Sequence, residues 1–182
     1  LVAYLWPDSD TERARHLLSD SVYRINQAVG GEAVVSVGDE LRLETQRLAC
    51  DVCEFSDAIE RGDPLRAVEL YAAPVLDGLF LTGAAGVQRR AASERDRFRY
   101  ERARALESLA AATDDDAAAV RWWRMLAADD PYSARIALHF MRALERAGDR
   151  AAAVQHAHVH ATLVREDMGI EPDPEIAAYA ER

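Results

Sequence analysis

Apolar positions near the start of the chain recur with two different periods. Ala14, Leu18, Val22, Ile25 and Val29 fall at i, i+4, i+8, i+11 and i+15, which lines one face of an α-helix. Ser9-Asp10-Thr11-Glu12 precedes the stripe as an S-x-x-E capping box, whose hydroxyl and carboxylate satisfy amides that the first turn leaves unpaired. Gly30-Gly31 closes it as a left-handed cap. A shorter helix before it stops at Trp6, because Pro7 pushes the preceding residue out of helical geometry. After Gly31 the period becomes two. Ala33-Val34-Val35-Ser36-Val37 and Glu40-Leu41-Arg42-Leu43 alternate around Gly38-Asp39, the signature of a hairpin.

Beyond residue 48 the pattern is helical, with breaks at Gly62, Gly78, Gly83 to Gly86, Asp114 to Asp116 and Gly148. The change of character places a boundary near Gln46 to Ala49 and divides the chain into 1–47 and 48–182. Asp116-Ala117-Ala118-Ala119-Val120 recurs 34 residues later as Arg150-Ala151-Ala152-Ala153-Val154, and that offset is the tetratricopeptide period. Trp123 follows the small Ala119 by one helical turn, and Ala67 and Tyr71 repeat the pair in a more divergent copy. A small Ala lets paired helices approach while the aromatic fills the space beside it, and each pair buries its face only against a neighbour. Leu106, Phe140 and Leu144 supply further core positions. The expected fold is mainly α: the C-terminal part of a winged helix-turn-helix with a β-hairpin wing, then a tetratricopeptide-like α-helical domain.

Charge and composition narrow the function. The 182 residues carry 22 basic and 32 acidic groups, a net charge of −10, and are 49% hydrophobic, which excludes disorder. A chain of this length buries roughly 70% of its unfolded surface, so no staple is required. No uncharged apolar run reaches the roughly 18 residues of a membrane span, and two cysteines fit a reducing, cytoplasmic compartment. With Leu1 in place of Met inside an apolar run, the first residue reads as a cut rather than a natural start. Phosphate loops, H-E-x-x-H, G-x-S-x-G and dinucleotide fingerprints are missing, so the chain does not read as an enzyme, and no cofactor or metal enters the reading. Cys50-Asp51-Val52-Cys53 has the spacing of a redox or half-zinc site, but without a second pair a structural role is favoured. His156 and His160, one turn apart, lack further ligands and read, with His158, as a partly exposed helix face. The seven arginines of residues 89–104 alternate with Glu94, Asp96 and Glu101 beside an apolar stripe of Phe98, Ala105, Leu106 and Leu109, which reads as a solvated face.

The informative constellation is helix, tight turn, capped helix and hairpin. In a winged helix-turn-helix the second helix enters the major groove and the hairpin touches flanking backbone. Here residues 12–29 form the recognition helix and 33–44 the wing. Opposite its apolar stripe the helix presents Arg13, His16, Asp20, Tyr23, Arg24 and Gln27. Arg13, Arg15, Arg24 and Arg42 are candidates for phosphate contacts, and His16, Tyr23 and Gln27 for base reading. Against this, residues 1–47 hold five arginines and eight acids, whereas phosphate neutralisation supplies most non-specific DNA affinity. On the residues alone, a DNA-binding helix and a plain surface helix stand equal.

Leu5-Trp6-Pro7-Asp8-Ser9-Asp10, Ala14-Arg15-His16 and Val22-Tyr23-Arg24-Ile25-Asn26-Gln27-Ala28-Val29-Gly30-Gly31 together resemble the end of the winged-helix domain in the SARP family of antibiotic-regulatory activators. Cys50-Asp51-Val52-Cys53-Glu54-Phe55, Tyr71-Ala72-Ala73-Pro74-Val75-Leu76-Asp77-Gly78 and Gly169-Ile170-Glu171-Pro172-Asp173-Pro174-Glu175 look like that family's bacterial transcriptional activator domain. The resemblance implies a cytoplasmic regulator that binds double-stranded promoter DNA, often as side-by-side protomers in a homo-oligomer, and recruits RNA polymerase. The chain departs from the family at Asn26-Gln27, where a basic run is usual, and at Leu17, where Asn is usual. The competing reading is a tetratricopeptide-like interaction or sensor module with a vestigial winged helix and no direct DNA contact.

Overall fold

The computed structural model describes residues 1–79 and 83–181. Among these the elements are α1 (Val2–Leu5), α2 (Thr11–Val29), β1 (Val34–Val37), β2 (Glu40–Leu43), α3 (Asp51–Glu60), α4 (Pro64–Leu70), α5 (Ala85–Ala112), α6 (Asp116–Asp129), α7 (Ala134–Arg146), α8 (Arg150–Met168) and α9 (Pro174–Ala180). The protein is mainly helical with one two-stranded antiparallel sheet, as the patterning predicts. The chain forms two compact units, one of Leu1–Asp57 with Leu70–Tyr100 and one of Ala58–Glu69 with Glu101–Arg182. No helix among the described residues is long and apolar enough to cross a membrane.

In the first unit, α2 begins one residue later than the capping box predicts. Asp10 is the N-cap, its carboxylate accepting the Arg13 N–H at 2.9 Å. An anionic cap also complements the positive end of the helix dipole. Ser9 instead donates its backbone N–H to the Trp6 carbonyl at 3.3 Å, closing the turn around Pro7. At the other end Gly30 adopts φ 75°, and Gly31 donates back to the Asn26 carbonyl at 3.0 Å, the paired-bond termination that a left-handed residue permits.

The hairpin pairs Val37 with Glu40 across Gly38, whose φ of 63° is the conformation a two-residue loop requires. The apolar stripe of α2 is covered unevenly. Ala14 is buried and Leu18 and Val22 are half-buried, but Ile25 is 44% exposed. Around Leu18, Val22 and Ile25 lies an open, apolar cavity of about 400 Å³, lined also by Leu5, Trp6, Val34 and Leu41.

Elsewhere in this unit Phe55 packs against Phe98, edge to face at 5.3 Å, and against Tyr71 at 6.0 Å. Arg95 of α5 donates to the Val75 carbonyl at 2.7 Å and to the Leu76 carbonyl. These bonds hold the turn in which Leu76 takes φ 55°, an unusual conformation for a side chain with Cβ. The neighbouring arginines are engaged as a charged helix face: Arg90 and Arg97 both pair with Glu94, and Arg99 pairs with Asp96.

In the second unit α6 packs on α7, α7 on α8, and α8 and α7 on α9. Caps separate the helices: Asp115, Ser133, Asp149 and Asp173 each accept a backbone N–H of the turn that follows. Ala119 and Ala153, 34 residues apart in sequence, are both fully buried, as is Ala67. Trp123 is buried, and the equivalent place in α8 is taken by the buried Ala157. The histidines of α8, expected on a partly exposed face, differ among themselves. His158 is exposed, but His160 is buried and His156 half-buried against the edge of Phe140, because these two lie on the side of α8 that packs against its neighbours α7 and α9. Burial lowers the proton affinity of both, and the charge of His160 lowers that of His156 further.

Candidate nucleic-acid interface

The α-helical repeat of 3.6 residues per turn gathers positions 13, 16, 20, 23, 24 and 27 of α2 on one side, and every one of them is exposed. Tyr23 is 61% exposed despite its ring, leaving a flat aromatic surface toward solvent. Gln27 donates from Nε2 to the Tyr23 hydroxyl at 2.8 Å, which fixes the amide while leaving its carbonyl and second N–H available. Arg24 pairs with Asp20 at 3.0 Å. Both partners stand well out in solvent, where such a pair contributes about 0–1 kcal/mol, so a phosphate can compete for the guanidinium.

Two predicted residues lie apart from this face. Arg15 sits on its flank, in an open cleft bounded by Leu18, Ser19 and Val22 of α2 and by Ser36, Gly38 and Asp39 of the hairpin. Arg42 projects from β2, exposed and 3.7 Å from the Glu40 carboxylate. Arg13, His16, Tyr23, Arg24 and Gln27 therefore form one array, with Arg15 and Arg42 beside it.

A further residue organises the site, and sequence reasoning treats it only as a missing charge. Asn26, half-buried, accepts the Ala33 and Val34 N–H groups on Oδ1 at 2.9 and 2.8 Å and donates from Nδ2 to the Val34 carbonyl at 2.8 Å. One side chain thus satisfies three backbone groups at the root of β1 and fastens the hairpin to the last turn of α2. An arginine there has donors only and could not accept the two amides. The sole signal in sequence is a short amide on the flank of an apolar stripe, seven residues before a predicted strand.

The model of the bacterial transcriptional activator domain matches residues 40–182. Among solved structures, the chain is similar to Mycobacterium tuberculosis EmbR in complex with a low-affinity phosphopeptide, at 20% identity and a TM-score of 0.56. That likeness covers 100% of this chain and 52% of EmbR, so the chain spans about half the length of that protein. At this identity the likeness is one of fold. A search of curated proteins finds no match. The domain match covers most of the chain, in agreement with the resemblance of its motifs to the SARP-type activators, a group of transcription regulators. The chain belongs to the bacterial transcriptional activator domain family.

Proposed function

We propose that this protein is a cytoplasmic activator that binds double-stranded promoter DNA through α2 and contacts RNA polymerase or a second protomer through its helical domain. Residues 1–47 form the partial DNA-binding domain and 48–182 the activator domain. The observation that carries the reading is the exposed array on α2, backed by a hairpin that Asn26 fixes in place. Arg13, Arg15, Arg24 and Arg42 position the protein on phosphates, while His16, Tyr23 and Gln27 address base edges.

The charge balance favours a second reading. Arg24 and Arg42 each have an acidic partner, and acids outnumber arginines over residues 1–47. An interaction module with a vestigial winged helix accounts for both facts without DNA. A gel shift of the full-length protein on its own upstream region, run across a salt series, separates the two. Specific retention that weakens with salt supports the activator, and no retention at any salt concentration supports the adaptor.

A further inference from the structure

The Cys50-Asp51-Val52-Cys53 segment, for which the sequence favours a structural role, keeps neither sulfur in a core: Cys53 is exposed and Cys50 partly so, and both are free thiols. Cys50 directly precedes α3, and its carbonyl accepts the Glu54 N–H at 2.9 Å. Its sulfur turns over the first helical turn and accepts the Cys53 N–H at 3.4 Å. Cys53 lies in that same turn, so the two sulfurs share the first turn of α3. Among the described residues no third metal-ligating side chain joins them. Two adjacent, solvent-accessible thiols on one turn of backbone have the reach for an S–S bond, since Cα atoms of disulfide-bonded residues usually lie about 4.4–6.8 Å apart.

We propose that Cys50 and Cys53 are a thiol–disulfide exchange site that closes reversibly to an intramolecular disulfide, with a low-molecular-weight disulfide as its oxidant. Cys50 attacks first, because its sulfur sits at the start of α3 and accepts the Cys53 N–H, a bond that stabilises a thiolate there. The neighbouring Cys50, burial and the Asp57 and Asp51 carboxylates raise the Cys53 thiol above its ordinary range, in keeping with its role as the second sulfur. The Cys50 thiolate attacks one sulfur of the oxidant, forming a mixed disulfide and expelling one thiolate. Cys53 then gives up its proton and attacks the Cys50 sulfur, expelling the second thiolate. Two electrons pass from the cysteine pair to the oxidant, and the two cysteine protons end on the two released thiols. In a reducing compartment such a pair serves sensing and not structure.

The test uses the full chain, equilibrated with glutathione and glutathione disulfide in varying ratio, quenched in acid and blocked with N-ethylmaleimide before intact-mass measurement. Two maleimide adducts are expected in reducing mixtures and none in oxidising ones, with the chain still monomeric on non-reducing gels. Cys53→Ser should trap several-fold more glutathione mixed disulfide than Cys50→Ser. Serine is a strong N-cap, so replacing Cys50 preserves the start of α3, and circular dichroism checks that both variants fold. Two adducts in every mixture, or a disulfide joining two chains, overturns the proposal, and the reverse ranking of the two variants overturns the assigned order of attack.

Discussion

Three backbone groups converge on the side chain of Asn26, and their loss should be measurable. Asn26→Ala strands the Val34 amide and carbonyl in a half-buried place, while the Ala33 amide keeps the Gly31 carbonyl at 3.0 Å, and we expect a loss on the order of 2 kcal/mol in urea unfolding of the first unit. Asn26→Asp keeps an acceptor for both amides and should lose less. Equal losses would show that the contacts do not hold the hairpin. On the outer face, Arg24 shares its charge with Asp20. Asp20→Ala should therefore tighten promoter binding, because it frees a cation and removes an anion near the phosphates. Unchanged or weaker binding would place the duplex elsewhere. Asn26 and Arg24 also mark the limit of what sequence conveys. The exposed side of α2 follows from its period, but hydrogen bonds between residues seven or eight apart follow from the meeting of two elements.

At the scale of elements, periodicity was sufficient where one face alone determines the structure. The stripe on α2, the turn at Gly38 and the 34-residue offset each correspond to an observed element. The start of α2 did not follow, since Ser9 and Asp10 are both good caps and the turn around Pro7 decides between them. Which of the α8 histidines is covered does not follow from sequence, because the buried face of that helix is marked by the small Ala153, Ala157 and Ala161 rather than by a stripe of large apolar residues. Close approach of paired helices depends on the small residues at Ala119 and Ala153, both without exposed surface. Ala153→Leu should cost about 1–3 kcal/mol through overpacking. Serine at the same position should cost less, since it adds little volume. If leucine leaves the thermal midpoint unmoved, the contact between the helices of that repeat is looser than its burial implies.

Across the whole molecule, stability should depend on pH through the histidines of the second unit. Burial lowers the proton affinity of His156 and His160, and of His139, where Arg142 and Arg135 act in the same direction. Asp130, Asp173 and the backbone of Tyr132 pull His160 the other way without overcoming burial. The folded protein then binds fewer protons than the unfolded chain, whose imidazoles titrate near about 6.5. Stability is thus fully present above that pH and falls as acid drives protonation. The thermal midpoint should drop between about pH 7 and pH 5, and less so in His160→Leu. A midpoint flat over that range would mean that the imidazoles are solvated. The same molecule poses the question of DNA binding, because an acidic chain must still attract phosphates through a few exposed arginines. The most direct measurement is the salt dependence of affinity for the upstream duplex, by fluorescence anisotropy, for the full-length protein and its Arg13→Ala/Arg24→Ala variant. The expected result is specific binding whose slope in log K against log salt shrinks by about 1.8 in the variant, two phosphates' share; an identical slope, or no specific binding by the parent, would contradict the assignment of α2 as the DNA-reading helix.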